Sequence, residues 1–220
     1  MSQSRVFRLY LVRHGATAWN VELRIQGHTD VPLNAEGCAQ ARCIAARLAS
    51  SPLPPQAVWS SDLLRARQTA EAIAAPLGLS VQTTPLLRET MLGEWEGLTS
   101  AEIEARGEQE RLERWRREPH HYRPPGGETL EAAWDRMLEA AALIRAAHPS
   151  GAVAVVGHGG TLKVLLCATL GIPVNAPWRF WLDNASLSII EELGPPENPR
   201  CRVTLVNDTS HLAALAMAPE

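Results

Sequence analysis

Two short apolar runs constrain this chain more than any other feature. Leu9–Val12 runs into Arg13-His14-Gly15, and Ala152–Val156 runs into Gly157-His158-Gly159-Gly160. The second run is apolar on both faces, as expected for a strand at the centre of a parallel sheet covered by helices. In such α/β proteins the chemistry gathers at strand ends. Two histidines, each at a strand end beside glycine, therefore predict one shared site. Arg13 next to the first predicts an anionic substrate, above all a phosphate.

The rest of the chain alternates strand and helix, which indicates an α/β sandwich. Strand 1 is expected over Val6 to Val12. Asn34 reads as an N-cap, with Glu36 in the first turn. Cys38, Ala41, Ala45 and Leu48 follow at helical spacing. A short strand at Ala57 to Trp59 leads to Asp62, which reads as the cap of a helix from Leu63 to about Ala75. A strand at Ser80 to Thr83 follows. Thr99 and Glu102 form a capping box, and Glu108 to Glu118 reads as an exposed helix. Thr129 to Ala147 and Thr161 to Leu170 are the later helices, and two last strands, Ala185 to Glu191 and Arg202 to Val206, close the sheet. Residues 1–220 thus read as a single domain. Residues 91–128 break the pattern and read as a lid-like insertion over the site, too short to bury a core of its own.

Composition narrows the function classes. A net charge of −3 argues against nucleic acid or an acidic membrane as partner. No apolar run approaches the ~18 residues of a membrane span. Met1–Arg5 is polar and carries no signal-peptide core. The four cysteines form no CxxC and read as reduced thiols of a cytoplasmic protein. Lys163 is the only lysine among 21 basic side chains, so a lone arginine carries little information here.

Phosphoryl transfer needs a nucleophile, cations around the equatorial oxygens and an acid for the leaving oxygen. A neutral His14 imidazole supplies the nucleophile, and nearby guanidinium groups favour its neutral form. Arg65 falls in the first turn of a helix, where the dipole disfavours a cation, so its presence there points to a bound anion. Backbone N–H groups after His158 open a helix and are ready anion donors. A nucleotide-binding reading of this glycine loop lacks the full spacing and the downstream acid. Glu89 is the candidate proton donor, given apolar or anionic surroundings, with Glu94 and Glu96 competing. Trp19 and Trp95 are candidate pocket walls, and Trp134 reads as core. Trp178 and Trp181 read either as buried or as a homodimer contact.

The order RHG, T-x-x-N, SDLxRAxQTA, LRE, GEWEG, PGGET, GHGG resembles the histidine phosphatase superfamily, with its phosphoglycerate-mutase-like fold, from Leu11 to about Ser186. That resemblance implies a three-layer α/β/α sandwich with a mixed, mostly parallel sheet, and neither metal nor organic cofactor. It also implies roles. His14 resembles the phosphorylated histidine. Arg13, Arg65 and His158 resemble the phosphate pocket, joined by Asn20 and the Gly159 N–H, and Glu89 resembles the general acid/base.

Within the family, Trp115-Arg116-Arg117 is similar to the mutase's arginine pair for a substrate carboxylate, which makes Arg116 and Arg117 candidate substrate contacts. Only ten residues separate Arg117 from Glu128, where the mutase pattern carries a long insertion. Pro125–Thr129 and Gly93–Thr99 resemble the broad-specificity, α-ribazole and related sugar or glycerate phosphatases. The expected activity is hydrolysis of a small phosphorylated metabolite through a phosphohistidine. A cofactor-dependent mutase and a non-catalytic phospho-ligand binder are the alternatives. His120-His121 is a poor metal site, since adjacent residues rarely chelate one ion and no carboxylate or cysteine joins them.

Overall fold

The computed structural model describes residues 6–173, 175, 179–193 and 200–216. Six strands form one sheet: β1 (Val6–Arg13), β2 (Ala57–Ser61), β3 (Val81–Thr84), β4 (Gly151–Gly157), β5 (Leu187–Leu193) and β6 (Arg200–Asp208). Their order is β3-β2-β4-β1-β5-β6. β3, β2, β4 and β1 run parallel, whereas β5 and β6 are antiparallel additions at one edge. The sheet is therefore mixed and mostly parallel.

Helices cover both faces: α1 (Ala18–Val21), α2 (Ala35–Ala49), α3 (Leu64–Ala74), α4 (Ser100–Ala105), α5 (Gln109–Arg117), α6 (Leu130–Ala147), α7 (Gly159–Thr169) and α8 (Ala213–Ala216). Side chains alternate across a strand, and β1 obeys this. Phe7, Leu9 and Leu11 join Met137 and Ile144 of α6 and Leu162 and Leu166 of α7. Tyr10 and Val12 join Ile44 and Leu48 of α2 and Ala66, Ala70 and Ile73 of α3. Ala152–Val156 of β4 is buried on both faces, which places the expected three layers.

Two local expectations change. Asp62 does not cap α3. Leu63 is the N-cap and offers no side-chain acceptor. The Leu64 N–H donates instead to Asp30 Oδ1 at 2.6 Å, and Asp62 pairs with Arg88. A carboxylate 34 residues upstream in sequence thus does the capping, which local spacing cannot reveal. Residues 91–128 do bury a small core: Trp95, Ile103 and Leu112 pack with Leu98, Trp115 and Ile25. Ile25 comes from the loop after β1, so the segment borrows part of its core from outside. Asn34 and Thr99 with Glu102 cap their helices as expected, and Thr129, read as the first residue of its helix, caps it instead.

Candidate active site

The parallel strands set the site. β1 and β4 lie side by side with Arg13 opposite Gly157, and the His14 N–H donates to the Gly157 carbonyl at 3.0 Å. The two histidines therefore emerge together at the carboxyl ends, their ring centroids 5.2 Å apart. β2 ends beside β4 and feeds α3, which delivers Arg65 in its first turn. The chain leaving β3 delivers Glu89.

Close approach explains the glycine after His14. A Cβ on Gly15 would lie 2.5 Å from the Gly37 carbonyl oxygen, and one on Gly37 would lie 2.0 Å from that of Ala16. The loop after β1 and the start of α2 touch through bare backbone. The Gly15 N–H donates to Thr69 Oγ1 and the Ala16 N–H to Gln40 Oε1, at 3.1 and 2.9 Å.

His14 is 3% exposed and His158 is fully buried. His14 Nδ1 lies 2.7 Å from the Gly15 carbonyl oxygen. A carbonyl only accepts, so Nδ1 carries the proton and Nε2 presents a lone pair. Burial, then Arg65 and Arg13, hold His14 well below the ordinary imidazole range, against a smaller upward pull from the Gly15 carbonyl. Burial, then Arg65, His14 and Arg13, do the same to His158. Both rings are neutral near pH 7.

The arginines are held by carbonyls rather than carboxylates. Arg65, fully buried, donates to the Thr29 and Gly27 carbonyls, each at 2.8 Å. Arg13 donates to the Leu182 carbonyl at 2.6 Å. Neither forms an ion pair among the described residues. Among the described residues, the buried Nε atoms of both, and both ring nitrogens of His158, have no hydrogen-bond partner. Burying such groups without partners costs free energy. Two positive charges with spare donors, beside a neutral imidazole with a free lone pair, form a cup whose chemistry suits an anion.

Glu89 lies close enough to this cup for its charge to act on both Arg13 and Arg65. Its Oε2 accepts from the Gly160 N–H at 3.0 Å, and its Oε1 accepts from the Thr161 and Thr90 N–H groups at 3.1 and 2.9 Å. Its surroundings are thus donors at the start of α7, not the apolar or anionic ones expected. A Cβ on Gly160 would stand 2.5 Å from Glu89 Oε1, which explains the second glycine of the pair. The competing acids are placed elsewhere. Glu94 is exposed, and Glu96 accepts from Thr29 and Leu92.

Asn20 Oδ1 is taken up by Thr17 and Asn184, leaving its NH₂ to offer an anion. Gly159 lies against Arg13, whose Nε would be 3.4 Å from a Cβ there. Arg116 lines a cavity beyond Glu89, whereas Arg117 is exposed and lines none of the described cavities. Trp95 is no pocket wall, being fully buried in the small core of residues 91–128. Trp19 is half-buried, its ring lying against Gly97. Trp134 packs on the main core as expected. Trp181 is 70% exposed at the cavity mouth, and Trp178 lies outside the described residues. Among the described residues no group of three or more histidine, cysteine or acidic side chains is arranged to hold a metal ion.

Three neighbours escape sequence reasoning. Asn184 donates to the His14 carbonyl at 3.1 Å. His28 Nε2 lies 2.8 Å from the Glu89 carbonyl. Arg136, on α6, donates to the carbonyls of Leu86, Arg88 and Glu89 and pairs with Glu128. It ties the acid-bearing loop to the body of the fold. Nothing local in the sequence signals that tie.

The sequence profile of the histidine phosphatase superfamily (branch 1) matches residues 9–209. The chain belongs to the histidine phosphatase superfamily. A probable phosphoglycerate mutase of Proteus mirabilis is 37% identical over 217 residues, covering 96% of this chain and 98% of its own. Phosphoserine phosphatase 1 of Hydrogenobacter thermophilus is 33% identical, covering 93% and 94%. Mycobacterial glucosyl-3-phosphoglycerate phosphatase matches with a TM-score of 0.83 at 33% identity, covering 94% of this chain and all of its own. Relatives of this histidine phosphatase thus carry both mutase and phosphatase names.

Proposed function

We propose that this protein hydrolyses the phosphomonoester of a small phosphorylated metabolite through a phosphohistidine at His14. The observation that carries this is the His14 ring: Nδ1 bound to a carbonyl, Nε2 left with its lone pair, and the charges of Arg13 and Arg65 acting on it, each guanidinium with an unpartnered Nε among the described residues. In the first step Nε2 forms a bond to phosphorus as the phosphorus–alkoxide bond breaks. Glu89, as the carboxylic acid, gives its proton to the departing oxygen. In the second, water attacks phosphorus, Glu89 takes a proton from it, and the N–P electron pair returns to His14. Arg13, Arg65, His158 and the Gly159 N–H hold the equatorial oxygens in both steps, with the Asn20 amide as an added contact.

Residues 91–128 act in this reading as a lid-like insertion within a single domain of residues 1–220. Leu92, Trp115, Arg116 and Pro119 of that segment line the cavity beyond Glu89, which supports the placement. The protein is read as metal-independent and cytoplasmic. The four cysteines are free thiols, and no helix among the described residues is long and apolar enough to cross a membrane. A homodimer is not required to explain Trp181, which already has a place at the cavity mouth.

The mutase names among the relatives make isomerisation the competing outcome. A panel of phosphomonoesters with chelator present, beside 3-phosphoglycerate with and without 2,3-bisphosphoglycerate, separates them. Phosphate release that dominates in every case is the expected result. Bisphosphate-dependent isomerisation outpacing release would replace hydrolysis by transfer.

A further inference from the structure

A cup for phosphate leaves the neighbouring cavity unexplained. It measures about 500 Å³ and lies on the far side of Glu89. If Glu89 protonates the leaving oxygen, the alcohol must sit here; the inference below rests on the hydrolase reading. Leu92, Trp115, Pro119, Leu130 and Trp181 give this cavity mostly apolar walls.

Its charged side chains divide sharply. Glu128 is paired with Arg136. Glu89 is engaged by three N–H groups. Arg116 donates to Ser100 Oγ. Lys163 alone has no hydrogen bond or ion pair among the described residues. Its Nζ lies 5.5 Å from the ring centroid of Trp181, whose indole N–H is pinned to Asp183 at 2.7 Å. The ammonium is half-buried, and that burial pushes its pKa down. It is also the one basic position in the chain that is not arginine. A compact ammonium with three donors and no acceptor, over an aromatic face, is set to receive an anionic group.

We propose that Lys163 selects the substrate by binding a carboxylate on the alcohol portion of the phosphomonoester. Among the described residues neither Arg116 nor Lys163 of this cavity forms an ion pair, but Arg116 is bound to Ser100, so Lys163 is the cation left to receive a ligand; beside Glu89 and Glu128 it matches a monoanion better than a second phosphate. Lys163 leaves α7 one turn beyond Gly160, about 5 Å along the axis at the helical rise. The alcohol is then a hydroxy acid, and a three-carbon one is the simplest to test. Lys163 is here a specificity-determining residue, separate from the groups that hold the phosphoryl.

A matched pair of esters tests this. 3-Phosphoglycerate and glycerol 3-phosphate share a three-carbon skeleton and differ chiefly in the carboxylate. The measured quantity is the ratio of their kcat/KM values in the wild type, Lys163→Met and Lys163→Arg. The wild-type ratio is expected to favour the acid by about 10- to 100-fold, the worth of one charge-assisted hydrogen bond. In Lys163→Met it should fall towards one, mainly through KM for the acid, and Lys163→Arg should restore most of it. A ratio that Lys163→Met leaves intact overturns the assignment. Equal losses for both esters do so too, since Lys163 would then serve the phosphoryl group. Wild-type protein that releases phosphate from neither ester, nor from p-nitrophenyl phosphate, removes the hydrolase reading and this assignment with it. Activity on p-nitrophenyl phosphate alone removes only the assignment.

Discussion

Replacing Arg65 by methionine separates anion binding from folding. Burial pushes the Arg65 guanidinium down to about 10. At about 1.4 kcal/mol per tenfold change in acidity, the charged side chain is about 3 kcal/mol worse off inside the protein than in water. Methionine removes that cost and keeps an unbranched chain of similar reach. It also strips the Gly27 and Thr29 carbonyls of their donor, at about 1–2 kcal/mol each. The two effects nearly cancel, so ligand-free Tm should move by no more than about 5 °C. The response to phosphate or vanadate is another matter. An anion at a hundred times its Kd stabilises the wild type by about 2.7 kcal/mol, a rise of about 5–10 °C. Losing a buried guanidinium contact costs the anion about 3 kcal/mol, or roughly 100-fold in Kd. At the same concentration the variant should then gain only about 1 °C. Thermal denaturation with and without the anion reads both numbers. Equal anion-induced gains in the two proteins would refute the placement of Arg65 in the phosphate cup.

Two further outcomes follow from the same geometry. His14 and His158 are both held below the ordinary imidazole value of 6.5, so below that pH the unfolded chain binds more protons than the fold. Their contribution is fully present above about pH 7 and is lost as pH falls, by up to about 1.4 kcal/mol per ring per pH unit. Urea unfolding between pH 7.5 and 5.5 should therefore show a steeper loss for the wild type than for His158→Gln, and parallel curves would contradict the buried neutral pair. Gly160→Ala should force Glu89 off the start of α7, because the new Cβ would meet Oε1 at 2.5 Å. A fall in kcat of at least about tenfold at little cost in Tm is expected from losing a positioned acid, and full kcat in that variant would mean Glu89 need not dock there.

What the sequence made legible was local. Apolar runs ending in His-Gly gave β1, β4 and the pairing of His14 with His158, because parallel neighbours share their carboxyl ends. Asn34 and Thr99 announced their helices because a cap acts on the next turn. Arg65 stood out by its place in the first turn of a helix and by its motif, but its full burial and its bonds to the Thr29 and Gly27 carbonyls came only with the packing of α3. The rest depended on contacts between distant segments. Asp30 caps α3 from the loop after β1, and Asp62, well placed in sequence, turns instead to Arg88. Trp95 looked like a pocket wall because it lies near the motifs, yet it fills the small core that Ile25 completes. Arg136 gave no local signal, since its tie to the Glu89 loop comes from the packing of α6, and Lys163 stood out only as the one lysine, its place at the cavity coming from the packing of α7.

The proposed chemistry turns on a covalent bond between phosphorus and His14 Nε2. Rapid quenching of a turnover reaction in alkali, followed by peptide mapping with ³²P-labelled substrate, tests it directly. An acid-labile, alkali-stable label on the peptide containing His14, formed and lost at rates that match turnover and missing in His14→Ala, is the predicted result. Sustained turnover with no label on that peptide, or label on another residue, would contradict it.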